Sequence, residues 1–142
     1  MSEAASTFSP DERFIERRSA YVFASTAYLR NRQAVPALDY ANKAIAVVDQ
    51  GHDDGSGSSA AYSVRAQAEA ATGDLGRASD DLAKAEDFER LGIKQLGGPD
   101  DAFVKHQYIP VLRNLLNFHA QVLRAEGKAT EAEAKEKAAS SL

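Results

Sequence analysis

Apolar residues recur at helical spacing along most of the chain, and segments that alternate strictly between apolar and polar residues are missing. One apolar stripe covers residues 14–29 and another covers residues 37–48. Segment 103–124 is the most apolar, and Pro110 interrupts it, so we expect a kink or break just before that residue. This periodicity predicts an all-α protein of six or seven helices.

Proline, glycine and capping residues mark the predicted helix boundaries. Ser9 and Pro10 suit the start of the first helix. Thr130 and Glu133 have the spacing of a capping box for the last helix. The predicted antiparallel pairs are 10–31 with 34–49, 59–72 with 75–90, and 110–126 with 129–140. The glycines expected to end helices are Gly73, Gly92 and Gly127.

Two segments between the helices have a turn-forming composition. Residues 51–58 are rich in glycine and serine and predict a mobile, dispensable loop. Residues 92–112 form an insert in which Pro99-Asp100-Asp101 has the pattern of a further helix start. These segments divide a single domain, residues 1–142, into three helical units. The units cover about residues 18–50, 59–91 and 113–142.

Small residues recur in one register in all three units. Each unit has two alanines seven positions apart and a further small residue twelve positions before the first of them. Small side chains allow two helices to approach closely, so the repetition indicates one repeated helix-turn-helix unit. The three sets are Ser25, Ala37 and Ala44; Ala66, Ala78 and Ala85; and Ala120, Ala132 and Ala139.

The middle unit also has Tyr62 four residues before Ala66, the turn Gly73-Asp74, and Leu82 in the second helix. With these residues the chain resembles the tetratricopeptide repeat family, whose unit is about 34 residues long. The likeness implies a short right-handed α-solenoid of three repeats, with an inserted segment before the third. Successive units are 41 and 54 residues apart, which implies an irregular superhelix.

The resemblance further implies that the first helix of each unit lines a concave groove that binds a peptide or helix. The implied groove residues are Val22, Phe23, Thr26 and Arg30 in unit one; Ser63, Val64 and Gln67 in unit two; and Asn114, Asn117, Phe118, Gln121 and Arg124 in unit three. Phe23 and Phe118 are the expected apolar anchors. Arg30 and Arg124 are the cations expected to orient an acidic or C-terminal group. The residues by which some family members clamp chaperone C-termini are absent from the corresponding positions.

A second candidate surface lies in the insert. It is more apolar than the repeat pattern requires at Phe103, Val104, Tyr108 and Ile109. Either these residues cover an end of the core, or they are exposed and bind a partner or a second copy. The leading hypothesis is therefore an interaction module. The alternative is a structural or assembly protein that self-associates, for instance as a homodimer, through this insert.

The sequence offers few groups for catalysis or metal binding. There is no cysteine. His119 is expected to pack against the partner helix, and His106 is poorly spaced from Asp101 for two ligands on one face. His52-Asp53-Asp54 could bind a divalent ion only weakly. The serines have positions typical of caps, termini and loops, so we predict neither an enzyme nor a cofactor nor a metal site.

Charge and hydropathy narrow the class of partner. The net charge of −4 argues against nucleic acid. No apolar stretch approaches the roughly 20 residues that a membrane span needs, so membrane insertion is not expected. The N-terminus lacks a signal-peptide pattern. We therefore expect a protein or peptide partner and a cytoplasmic location, or a periplasmic one if a signal peptide has been removed.

Overall fold

The structure, a computed structural model, describes residues 10–49 and 56–142, with side chains over 13–48 and 57–142. These residues form seven helices and no strand, which confirms the all-α prediction. The helices are α1 (Pro10–Arg30), α2 (Ala34–Asp49), α3 (Ser56–Ala71), α4 (Leu75–Gln95), α5 (Ala102–Gln107), α6 (Ile109–Ala125) and α7 (Ala129–Ser140).

The helices pack mainly in three pairs. Helix α1 contacts α2, α3 contacts α4, and α6 contacts α7, as the sequence predicts. Contacts of α2 and α1 with α3 join the first pair to the second, and contacts of α4 with α6 join the second to the third. The short α5 contacts α6. The pairs therefore follow one another in chain order.

The small residues of the repeated register lie at the helix contacts. All nine of them are buried, from Ser25 in α1 to Ala139 in α7. The Ser25 hydroxyl donates a 2.7 Å hydrogen bond to the carbonyl oxygen of Ala37, so this polar member also lies against the neighbouring helix. Larger apolar residues, including Ile45, Leu82 and Leu115, fill the central core.

Helix α4 is longer than predicted. Gly92 does not end it but is buried inside it, and the helix continues to Gln95. The turn follows at Gly97 and Gly98, whose φ angles of 107° and 90° lie in the left-handed region that favours glycine. The amide of Gly98 donates to the carbonyl of Ile93 at 2.9 Å and closes the helix end. Helix α4 therefore ends before the Gly97-Gly98 turn and not, as predicted, at Gly92.

The predicted helix start at Pro99-Asp100-Asp101 is confirmed, because α5 begins at Ala102 with Asp101 as its N-cap. The Asp101 carboxylate accepts hydrogen bonds from the first amides of that helix. Helix α7 begins at Ala129, and its N-cap Lys128 makes no side-chain capping bond. The predicted capping box at Thr130 is therefore absent, because that residue already lies inside the helix.

The predicted loop over 51–58 is wrong at its C-terminal end. Helix α3 begins at Ser56, and Ser58 is completely buried. Small side chains allow this first turn to pack inside the protein. The remaining part of the predicted loop, including His52, lies outside the described residues, as does the predicted cap Ser9. The break expected before Pro110 is confirmed: Tyr108 separates α5 from α6.

Candidate functional site

Three pockets follow one another along α1, α3 and α6, the first helices of the three pairs. Their volumes are about 300, 530 and 310 Å³. The first two pockets share lining residues, and so do the second and third. The three pockets therefore form one continuous depression, which we call the groove. The shared residues are Val22, Thr26 and Ala60 for the first two, and Ser63, Gln67, Val111 and Leu115 for the last two.

Most of the residues implied by the resemblance line this groove. Phe23 and Arg30 lie in the first pocket, Val64 in the middle one, and Asn114 and Phe118 in the third. The middle and third pockets also contain Ser63 and Gln67. Nine of the twelve implied residues therefore come together, on helices that are distant in sequence.

Three implied groove residues do not line it. Asn117 and Gln121 are exposed outside the three pockets. The guanidinium of Arg124 pairs with the carboxylate of Glu136 on α7, and this hydrogen bond and charge raise the pKa of Arg124. Arg124 thus faces the second helix of its own pair. The expectation that it orients a ligand in the groove is corrected accordingly.

The groove presents apolar surface with a few polar groups. The Phe23 side chain is 77% exposed, and Phe118 is half-buried. The hydroxyl of Thr26 already donates to the carbonyl of Val22 at 2.9 Å. The amide side chains of Gln67 and Asn114 are exposed at the groove surface, and the Gln67 amide donates a 3.4 Å hydrogen bond to the hydroxyl of Ser63.

The insert contributes to both the core and the groove. Val104 is completely buried in a core cluster with Leu112. Ile109 belongs to the same cluster but is 8% exposed, and it lines a separate pocket of about 620 Å³ outside the groove. Phe103 is 57% exposed and lines the middle pocket with Tyr108. The sequence analysis treated a covered core and a binding surface as alternatives. In the structure, Val104 is covered within the core, whereas Phe103 is exposed.

Glu89 is a groove residue that the sequence analysis missed. It lies on α4, is only 2% exposed, and lines the middle pocket. Burial raises its pKa, and a hydrogen bond with Ser59 partly opposes that effect. The helical stripe of Leu82, Ala85 and Ile93 points into the protein, and Glu89 falls on that stripe. A charged residue in such a position is the sequence pattern that could have identified it.

A hydrogen-bonded chain joins α4, α6 and α7 away from the groove. Ser79 Oγ lies 2.8 Å from His119 Nε2, and His119 Nδ1 lies 2.6 Å from Glu86 Oε2. The Lys135 ammonium donates to Glu86 Oε1 at 2.6 Å. We call these four residues the His119 cluster. His119 is buried and hydrogen-bonded, but its hydrogen-bond partners lie on α4 and not on α7, the partner helix that the sequence predicts. The role of Ser79 was missed.

A second polar cluster joins α3 to α4. Arg65 donates two hydrogen bonds to Asp81, at 2.7 and 2.9 Å. Burial and a hydrogen bond with Asp81 raise the pKa of Glu69 to about 8. Burial opposes ionisation of Asp81, but hydrogen bonds from Arg65 and Glu69 hold the pKa of Asp81 below its usual range. The carboxyl groups of Glu69 and Asp81 thus lie close to one shared cation, Arg65.

Over residues 10–49 and 56–142, no group of three His, Cys, Asp or Glu residues could hold a metal ion. No helix in those same ranges is long and apolar enough to cross a membrane. No family model, curated protein or solved structure matches this chain.

Proposed function

We propose that the chain is a non-catalytic interaction module, built as a short tetratricopeptide-like solenoid, that binds a peptide or an amphipathic helix of another protein in the groove. The observation that carries the proposal is the continuity of the three pockets along α1, α3 and α6. An elongated ligand can contact all three pockets. A compact small molecule would occupy only one.

The proposed mechanism is preorganisation. The groove is formed by helices that are fixed by buried small-residue contacts and by polar clusters between them. Binding therefore requires little reordering of the protein, and most of the conformational entropy is lost by the ligand. Exposed Phe23 and half-buried Phe118 provide apolar contacts towards the two ends of the groove.

The His119 cluster has the order of a nucleophile, a base and an acid, so the non-catalytic part of the proposal needs its own argument. A serine nucleophile requires a space about 3 Å away in which the reacting atom of the substrate can lie. Ser79 lines none of the three groove pockets. The Glu86 carboxylate also pairs with Lys135. We assign the cluster to helix packing.

Hydrolysis of p-nitrophenyl acetate tests this assignment. The wild-type protein and Ser79→Ala should hydrolyse the ester at equal rates. A faster rate in the wild type, with an initial burst that Ser79→Ala abolishes, would make the cluster catalytic and overturn the proposal.

The binding proposal is tested after a partner has been identified by cross-linking, pull-down and mass spectrometry from the source cell. Phe23→Ala and Phe118→Ala should each weaken binding by roughly 2 kcal/mol in calorimetry. Val35→Ala is the matched control, because Val35 is 74% exposed but lines none of the groove pockets. If all three variants bind with the same affinity as the wild type, the binding site does not lie in the groove.

The alternative is self-assembly through the exposed part of the insert. Phe103 is 57% exposed and Val111 is 44% exposed, and both line the middle pocket. A second copy could cover this apolar surface. Size-exclusion chromatography with light scattering distinguishes the two functions. A monomer supports the interaction module, whereas a dimer that Phe103→Ser dissociates supports assembly.

A further inference from the structure

Glu89 is the one charged side chain among the described residues that line the middle pocket. Its contacts differ from those of the other buried acids. Asp81 is paired with Arg65 and Glu86 with Lys135, whereas the contact found for Glu89 is a hydrogen bond with Ser59. No cation of the described part of the chain forms an ion pair with it. Glu89 lines an open pocket although the residue is only 2% exposed.

A buried carboxylate without a cation is unfavourable, because it has lost water without gaining an opposite charge. A leucine or alanine at this position would avoid that penalty. A cation supplied by a ligand would remove it, since the partner charge would enter a site where the carboxylate is already desolvated and held in place. The position is therefore suited to recognising a positively charged group.

The surroundings of Glu89 indicate what carries the charge. Val22, Val111 and Leu115 line the same pocket, and Phe103 is exposed beside them. The aliphatic stem of a lysine or arginine can pack on such a wall while its charged end reaches a carboxylate. The neighbouring residues of the ligand would contact the remaining apolar surface. The net charge of −4 favours approach of a basic ligand.

We propose that Glu89 determines the specificity of the groove, and that it pairs with the ammonium or guanidinium group of one lysine or arginine flanked by apolar residues in the bound peptide. This inference rests on the proposed function, because it names the ligand of the same groove. It adds a charge requirement that an apolar groove alone would not have.

The first experiment is a selection of random dodecapeptides displayed on phage. The baits are the wild-type protein, Glu89→Gln, Phe118→Ala and Asp87→Asn. Asp87 is an exposed acid on the same helix, so its substitution removes one negative charge outside the groove. Wild type and Asp87→Asn should enrich peptides with a lysine or arginine between apolar residues. Glu89→Gln should enrich apolar peptides without that basic residue.

The second experiment measures the charge pair directly. The best wild-type peptide and its Lys→Gln or Arg→Gln version are titrated by fluorescence anisotropy against wild type and Glu89→Gln. The peptide substitution should weaken binding to the wild type at least about tenfold and change binding to Glu89→Gln less than about threefold. A Lys→Glu or Arg→Glu peptide should lose wild-type binding altogether, which tests the inference without any change in the protein.

The outcomes separate the two proposals. A basic preference that depends on Glu89 supports the inference. Peptides that bind the wild type and fail on Phe118→Ala, but show no basic preference or keep it with Glu89→Gln, overturn the inference and leave the groove proposal standing. If no peptide is enriched on the wild type over Phe118→Ala, both proposals fail.

Discussion

Glu86 and Glu89 lie three residues apart on α4, and both are almost completely buried. The two oxygens of Glu86 are bonded to His119 and Lys135, so this residue links α4 to α6 and α7. Glu89 has a hydroxyl partner, Ser59, and lines the groove. Burial and residue type are thus the same, and the partners differ.

This difference separates a structural acid from a candidate binding acid. Removing one member of a satisfied buried pair leaves the remaining charges without a partner, so the fold should depend on Glu86. Glu89 has no such partners to leave behind. Substitutions that act on stability at one position and on ligand choice at the other would establish the distinction.

The largest effect is expected for Glu86→Ala. The substitution leaves Nδ1 of the buried His119 without its hydrogen-bond partner and Lys135 without its counter-charge. We expect a loss of roughly 3 kcal/mol of unfolding free energy, measured by urea denaturation. Asp87→Ala is the control, because it removes an exposed neighbouring acid. Equal losses for the two variants would mean that the His119 cluster contributes nothing specific to stability.

A smaller effect is expected for Ala78→Leu, which tests the packing that positions α4. Ala78 is completely buried, so the larger side chain should overpack a helix contact and lower stability by roughly 1–3 kcal/mol. Ala83→Leu makes the same change at an exposed site of the same helix. An unchanged melting temperature for Ala78→Leu would contradict the packing register.

The third prediction concerns Glu69, whose pKa is raised to about 8 from an ordinary value of 4.5. Between these values the folded chain holds a proton that the unfolded chain has released, so this group makes stability fall as the pH rises. Glu69→Gln cannot lose that proton. We therefore compare the melting temperature of Glu69→Gln with that of the wild type at two pH values. The advantage of the variant should be a few degrees larger at about pH 8 than at about pH 5.

A constant difference between Glu69→Gln and wild type across that pH range would place the pKa of Glu69 near its ordinary value. The contribution of Asp81 has the opposite sign, because its pKa is lowered. That contribution is lost only as the pH falls through and below the ordinary value of 3.8. The contribution of Asp81 therefore stays nearly constant between about pH 5 and pH 8, where the two proteins are compared.

The smallest effect on stability is expected for Glu89→Gln. The amide keeps the shape of the side chain and can still bond to the Ser59 hydroxyl, while the desolvated charge is removed. Stability should stay within about 1 kcal/mol of the wild type or increase slightly, as measured by urea denaturation. A loss as large as that of Glu86→Ala would show that Glu89 is a structural residue, and the contrast between the two acids would disappear.

The local features of the fold were predictable because they depend on local residues. The register of small residues located the helix contacts, and Pro110 located the break between α5 and α6. Choices between similar signals were not predictable. Gly92 and the Gly97-Gly98 pair could each end α4, but Gly92 is buried inside the helix and the turn lies at Gly97 and Gly98. Likewise, the glycine and serine content of the segment before Tyr62 does not show that Ser58 is buried.

The candidate site was predictable only on the first helix of each pair, which the resemblance assigns to the groove. Val22, Gln67 and Phe118 line the groove as implied. Arg124 does not, because its direction depends on where Glu136 lies on another helix. Glu89 comes from a second helix, which the family pattern does not assign to the groove. Its position in the pocket depends on the packing of α3, α4 and α6, which a linear pattern does not contain.

The bond between Lys135 and Glu86 connects residues 49 positions apart in the chain. In a chain of successive helical hairpins most contacts are local, and the terminal hairpin can open while the rest stays folded. Here that opening would break a partly buried hydrogen bond that joins the third helix pair to the second. The terminal hairpin is therefore coupled to the central one, and the two should exchange their most protected amide hydrogens with similar opening free energies, as a single cooperative unit.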